Sequence, residues 1–152
     1  SRFHVRPPLR SEADRQALLE GVRSSVIDAI VSQHQPHDSA AKQAPLPATE
    51  PGLSSIESVL SLGLKLVAAQ ELSLPRLLAA LTAGPAGVLG CSTVLSEGAP
   101  ADLCIFDPDG HWTPSASTLM SVGLHAPMMG VELPGRVRLT LVNGQVAWSD
   151  TE

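Results

Sequence analysis

Basic charge is scarce in this chain, and so are long apolar runs. Ten Lys and Arg stand against fifteen Asp and Glu, for a net charge of −5. The cations are scattered along the sequence and form no basic stripe to cradle phosphates, so no nucleic-acid partner is expected. The longest apolar stretch, Leu72 to Cys91, is interrupted by Pro75, Arg76, Gly84 and Pro85. It cannot cross a bilayer as a clean apolar helix, and no membrane association is expected. Residues 1–20 lack a secretory signal pattern, which makes the cytoplasm the expected location. Cysteine is also sparse: Cys91 and Cys104 are the only two, both in apolar surroundings. They read as buried reduced thiols and not as a disulfide. An initiating methionine is missing too. The chain opens at Ser1 directly into Arg2-Phe3-His4-Val5, which reads as the middle of a strand, so a piece of a longer chain is expected.

What is present is ordinary globular composition, 43% hydrophobic and 16% charged over 152 residues, enough for one compact domain with its own core. Phe3 and Val5 suggest a strand end stopped by Pro7-Pro8. Ser11-Glu12-Ala13-Asp14 is a capping-box pattern, and Ala17, Leu18 and Val22 recur behind it at helical spacing to about Arg23. Val26 to Val31 is a nearly continuous apolar run rich in β-branched residues, as suits a strand buried on both faces of a parallel sheet. Strand, helix, strand is the order of a parallel α/β fold. From Gln33 to Gly52 a long loop holds Pro36, Pro45, Pro47 and Pro51. A loop of that length after a parallel strand lies where α/β barrels build their sites. Its few apolar residues predict a segment that is mobile or ordered by a partner.

A helix is predicted from about Ser54 to Ala69, with Ile56, Leu60, Leu64 and Val67 on one stripe. Ser73 caps the next, which tolerates Pro75 in its first turn and buries Leu77, Leu78 and Leu81. Gly84-Pro85 should end it, ahead of a short helix through Val88-Leu89. Character changes near Glu97-Gly98. Ala101 to Phe106 reads as a strand, Asp107-Pro108-Asp109-Gly110 as a tight turn and His111 to Thr113 as a further strand. Arg136–Val142 and Gln145–Trp148 flank Asn143-Gly144, the dipeptide of a type I′ hairpin turn.

The conspicuous polar cluster is Ser32-Gln33-His34-Gln35-Pro36-His37-Asp38, at the end of the predicted buried strand. Two histidines and a nearby carboxylate are metal-ligand types, although Pro36 argues for a loop and a third ligand is wanting. A hydrogen-bonded loop histidine pair is the other reading. His4, His111 and His125 are isolated and read as surface or structural residues. Glu57 and Asp28 sit in regular elements and form no evident catalytic pair, and Asp102 reads as a turn residue. Nucleophile elbow, phosphate loop and dinucleotide fingerprint are all absent.

Several stretches together resemble a known family. Pro7-Pro8-Leu9-Arg10-Ser11, the Gln33–His37 cluster, Ala101-Asp102-Leu103 with Phe106-Asp107-Pro108, Ala126–Gly130, Gly135-Arg136-Val137 and Val142-Asn143-Gly144 are similar, in order, to dihydroorotases of the amidohydrolase superfamily. The resemblance implies an α/β fold: the C-terminal portion of a distorted (β/α)8 barrel, here the last β/α units over 1–96. The C-terminal strands of a β-sandwich domain would occupy 97–152. It implies zinc in the barrel mouth of active members, held by a His-x-His pair, further histidines and often a carboxylated lysine, all upstream of Ser1. The segment present here should read Thr-Asp-His-Ala-Pro-His, with the aspartate shuttling the proton and the last histidine holding substrate.

Gln33 stands where that aspartate is expected, and an amide can neither accept the proton nor balance a dication. Arg6 stands where the family has a substrate-binding asparagine, while His37 retains the final histidine. The resemblance therefore implies a non-catalytic member with no catalytic residue, no metal ligand and no cofactor of its own. Such a protein would partner the aspartate transcarbamoylase catalytic subunit in pyrimidine biosynthesis, be oligomeric and pack against the upstream part of its own chain. The alternative is an active zinc-dependent dihydroorotase with an unusual residue at position 33, Asp38 or Glu50 substituting for the carboxylate.

Overall fold

The computed structural model describes residues 3–91 and 93–150. Four helices come first: α1 (Glu12–Arg23), α2 (Val59–Ala68), α3 (Leu74–Leu81) and α4 (Ala83–Leu89). Three strands follow: β1 (Leu103–Trp112), β2 (Leu133–Val142) and β3 (Gln145–Ser149). They form one antiparallel sheet in the order β1-β2-β3.

Local chemistry sets several of these boundaries. At the start of α1 the Ser11 hydroxyl accepts from the Asp14 amide, and the Asp14 carboxylate accepts from the Ser11 amide 3.1 Å away. This capping box satisfies two donors that the first turn would otherwise leave open. Ser73 caps α3 through its hydroxyl, with Pro75 in the first turn. Asn143 and Gly144 both take positive φ, 50° and 77°, and turn β2 into β3. The Asp102 carboxylate accepts from the Asn143 amide at 2.7 Å and holds that turn from the side.

The core joins Leu19 and Val22 of α1, Leu64 of α2, Leu72, and Leu77 and Ala80 of α3, with Ile27, Ile30 and Phe106 packed against it. Helix α2 also lies against β2, where Leu64 meets Gly135 so closely that a Cβ there would be 2.2 Å from Leu64 Cδ1. Trp112 of β1 donates its indole N–H to the Ser61 hydroxyl of α2 at 2.9 Å. The helical part and the sheet therefore share one packed layer.

Several expectations are corrected. Residues 3–5 form no strand; the His4 carbonyl accepts from the Gly52 amide at 2.9 Å, and the His4 ring Nδ1 lies 2.8 Å from the Thr49 hydroxyl. Ser1 and Arg2 of that stretch lie outside the described residues. Val26–Val31 pairs with no strand among the described residues: the Val26 and Ile27 amides still donate to the Gly21 carbonyl in the turn that leaves α1, and Val26 and Val31 are exposed. Only Ile27 and Ile30 turn into the core. A run with no strand on either side has one covered face instead of two. It is anchored by the Ile30 amide on the Ala80 carbonyl and by the Arg76 guanidinium on the Ile27 carbonyl.

Gly84-Pro85 does not end α3, which stops at Leu81. Both residues lie in the first turn of α4, where proline's missing N–H costs nothing. Gly84 is there because a Cβ would stand 1.9 Å from the Asp28 carbonyl oxygen. Ile56 is exposed, in a 3-10 turn (Ile56–Ser58) that precedes α2. Asp107–Gly110 is no hairpin turn. It is a bulge inside one continuous strand, in which Pro108, Asp109 and Gly110 oppose Gly135 alone before pairing resumes at His111. Turn chemistry persists inside the bulge: the Asp107 carboxylate accepts from the Asp109 amide at 3.1 Å. Cys91 and Cys104 are free, as expected, but both are exposed. Cys91 follows the left-handed Gly90 that ends α4, and Cys104 points from an outer strand of the sheet.

An ion network crosses the sheet. Asp150 accepts from Arg136 at 2.6 Å and from Arg138 at 2.9 Å, and Arg138 reaches Asp107 at 3.4 Å. The Arg136 hydrogen bond, with Arg138 adding to it, holds the Asp150 carboxyl below the usual aspartate range. A carboxyl depressed in the folded state contributes stability above its unfolded pKa and loses it as pH falls through the folded one. Urea midpoints measured from pH 6 down to pH 2 should therefore fall through the acid limb. Asp150→Asn should lower the neutral-pH midpoint and flatten that limb, and an unchanged acid limb would refute the assignment.

Candidate functional site

The predicted polar loop closes around one extended ribbon, residues 50–55, whose backbone groups are caught from several directions. His34 and Leu53 form a parallel bridge, and the Gln35 amide donates to the Leu53 carbonyl at 2.9 Å. The Glu50 amide donates to Ala41, the Gly52 amide to His4 and the Ser54 amide to His125, at 3.1, 2.9 and 2.9 Å. Gly52 has φ 139°, and a Cβ on it would meet the Gln35 carbonyl at 2.6 Å and His37 Nε2 at 2.9 Å. Glycine is required there on both counts. The segment 120–125 covers the other side: Gly123 packs on Pro36, and the Glu57 carboxylate accepts from the Met120 and Ser121 amides, each at 2.9 Å.

His34 Nδ1 accepts from the Ser55 and Ile56 amides at 3.1 and 3.2 Å. Those donors demand a lone pair on Nδ1, so in this arrangement the ring is neutral with its proton on Nε2. The imidazole thereby caps the turn that leads into α2, a role that Ser, Asp or Asn ordinarily fills. His37 Nε2 lies 3.0 Å from the Pro51 carbonyl, which can only accept. Nε2 is therefore the donor, and Nδ1 is the ring nitrogen left for a ligand. Both histidines thus spend one ring nitrogen on backbone groups of the 51–56 segment.

Lys42 is buried, with its ammonium donating to the Glu50 carbonyl and, at 2.8 Å, to the Gly52 carbonyl. Burial pushes that ammonium below the usual lysine range, and the nearby Glu50 carboxylate opposes the shift. No pattern in the sequence marks this lysine for burial. It and the Glu57 latch are the site residues that sequence reasoning missed. The loop expected to be mobile or ordered by a partner makes polar contacts within the chain and holds 3-10 turns at Ala40–Lys42 and Leu46–Ala48.

Gln33 sits at the foot of the loop, exposed, with φ 49°. Non-glycine residues seldom adopt the left-handed region, and Asp and Asn tolerate it better than Gln does. Arg6 is exposed, two residues beyond the His4 carbonyl that holds Gly52. The backbone thus brings the neighbourhoods of Arg6 and His37 together at Gly52. Asp38 caps the Ala40–Lys42 turn by accepting from the Ala41 amide at 2.9 Å.

The described residues do not by themselves fit a zinc ion. Neither nitrogen of His34 offers a lone pair, Gln33 offers a neutral amide, and no group of three or more His, Cys, Asp or Glu is placed to hold a metal. A separate cavity of about 590 Å³ lies between α2 and the sheet, lined in part by Trp112, Arg136 and Trp148. None of Arg6, Gln33 or His37 reaches it. Among the described residues no helix is long and apolar enough to cross a membrane.

With this geometry in view, comparison with known proteins is specific. Residues 5–147 match the model of the Amidohydrolase family. A "dihydroorotase-like protein" of Pseudomonas aeruginosa is 49% identical over 96% of this chain and 34% of its own length. A "dihydroorotase" of Desulforapulum autotrophicum is 36% identical over 95% of this chain and 34% of its own. Among solved structures, L-hydantoinase (dihydropyrimidinase) from Arthrobacter aurescens superposes with a TM-score of 0.84 at 30% identity, covering 97% of this chain and 34% of that one. A D-hydantoinase from Thermus sp. gives 0.85 at 25% identity, covering 98% of this chain and 34% of that one. The chain spans about a third of the length of these relatives, in their C-terminal part. Its α/β arrangement is the corresponding portion of their barrel fold.

Proposed function

This chain belongs to the amidohydrolase family, and from that premise we propose that the full-length protein is a non-catalytic, dihydroorotase-like subunit that binds aspartate transcarbamoylase. On this reading it supports the assembly or activity of that enzyme in pyrimidine biosynthesis and carries no cofactor. Residues 1–96 supply its last barrel units and residues 97–152 the C-terminal strands of its sandwich. The observation that carries the reading is Gln33. It stands at the foot of the site loop in a left-handed conformation, where the family resemblance calls for an aspartate. A neutral amide there has no proton to exchange near neutral pH.

The fold around it is kept: the capped helices, the Asn143-Gly144 hairpin and the Gly52 ribbon that seats His37. A chain that retains packing and a ligand-facing histidine while replacing the proton-transfer group is suited to binding. The resemblance supplies the partner. The test is to purify the organism's transcarbamoylase with and without the full-length protein at micromolar concentration. Co-migration as a larger particle, with a changed transferase rate, is expected. If the transferase alone forms the same particle with the same rate and the two do not co-migrate, the reading is wrong.

A further inference from the structure

We infer that Lys42 is the positioning residue of the site loop: by gripping the carbonyls of Glu50 and Gly52 it sets the Pro51 carbonyl between them, and through it the orientation of the His37 ring. In an extended ribbon successive carbonyls point to opposite sides, so those of residues 50 and 52 share one side and that of 51 faces the other. The bonding follows that alternation. The Lys42 ammonium donates to Glu50 and Gly52, while His37 Nε2 donates to Pro51 at 3.0 Å. Pro51 has no N–H of its own to anchor it, and Gly52 occupies a backbone region that little else favours. Nothing intrinsic to these two residues would hold the ribbon in this shape.

The loop is also poor in apolar side chains, and its one bulky aliphatic, Leu46, is exposed. Its order must come from polar contacts. A buried ammonium is costly unless its protons are matched to acceptors, and two backbone carbonyls supply that match in the place where their own bonds to water are lost. One side chain therefore satisfies both acceptors on one face of the ribbon, while on the other His37 meets the Pro51 carbonyl, next to the bond from the Gln35 amide to Leu53. The inference rests on the reading of His37 as a ligand-facing residue only for its purpose. Its geometry can be tested whether or not a transcarbamoylase binds.

The test uses the full-length protein with 15N-labelled histidine and lysine side chains, together with amide hydrogen exchange. In Lys42→Met, exchange of the peptide spanning Gly52 to Ser54 should rise about tenfold or more as that segment opens locally. The His37 Nε2–H resonance should disappear, while peptides of α2 and α3 stay within about twofold. In Lys42→Gly, added butylamine should slow the same peptide again and restore the ring signal. A folded Lys42→Met protein with unchanged ribbon exchange and an intact His37 signal would overturn the inference. So would exchange that rises equally everywhere, since a merely structural lysine gives that result. If neither variant folds, the wild-type protein decides: the Lys42 ammonium should give a slowly exchanging signal, and a signal averaged with water as for a surface lysine would refute the clasp.

Discussion

Full-length protein is expected to turn over dihydroorotate at least about 10²–10⁴-fold more slowly than an active dihydroorotase, the usual worth of a positioned general acid–base. Gln33→Asp alone should leave it near background. The amide at position 33 can hold a geometry but cannot carry a proton. The exchange to aspartate is sterically mild, because position 33 is exposed and left-handed, a conformation that aspartate tolerates better than glutamine. A failed rescue would therefore not be attributable to misfolding. Arg6 remains where a substrate asparagine is implied, and groups that act as a unit are not restored one at a time. Steady-state hydrolysis and the reverse cyclisation, both followed by ultraviolet absorbance, measure the effect. Turnover well above background in the single variant would show that the site has decayed less than proposed, and would favour the active amidohydrolase.

The largest stability effect is expected at Leu77→Ala. Leu77 is fully buried at the centre of the core and meets Gly63 of α2, where an added Cβ would be 2.4 Å from Leu77 Cδ1. Truncation removes the buried methyls and leaves a hole against a helix face that has no side chain to collapse into it. A loss of about 2–5 kcal/mol follows. Gly63→Ala alone overpacks the same contact, for about 1–3 kcal/mol. Combined, the new methyl occupies part of the vacated space, so the double variant should be more stable than the sum of the two losses predicts. Denaturant unfolding of the four proteins in the cycle measures this coupling. Simple additivity would mean that α2 and α3 do not meet through this pair.

Signals that were legible in the sequence are those whose cause is local. Ser11 with Asp14 announces the start of α1, Ser73 with Pro75 the start of α3, and Asn143-Gly144 the β2–β3 turn. Each depends on residues within one turn of chain, where backbone preference and a single side-chain bond decide the outcome. The family resemblance was legible for the same reason: it is carried by short motifs in order. The site was half legible. The Gln33–His37 cluster was found, but not that His34 spends Nδ1 on the turn before α2, nor that Lys42 holds the ribbon opposite.

Where the sequence misled, composition had to stand in for neighbours. Val26–Val31 has the residues of a doubly buried strand, yet only one of its faces meets a covering layer among the described residues. Asp107–Gly110 has the residues of a turn, yet β2 continues past it and makes it a bulge. Ile56 has helical spacing, but it falls in the 3-10 turn ahead of α2 and faces solvent. The sequence by itself determined the caps, the hairpin and the family, because each is written in residue type at short range. Tertiary structure alone decided which apolar face is covered, which turn is a bulge and which lysine is buried. Those outcomes depend on the backbone that arrives from tens of residues away, and no local pattern encodes its position.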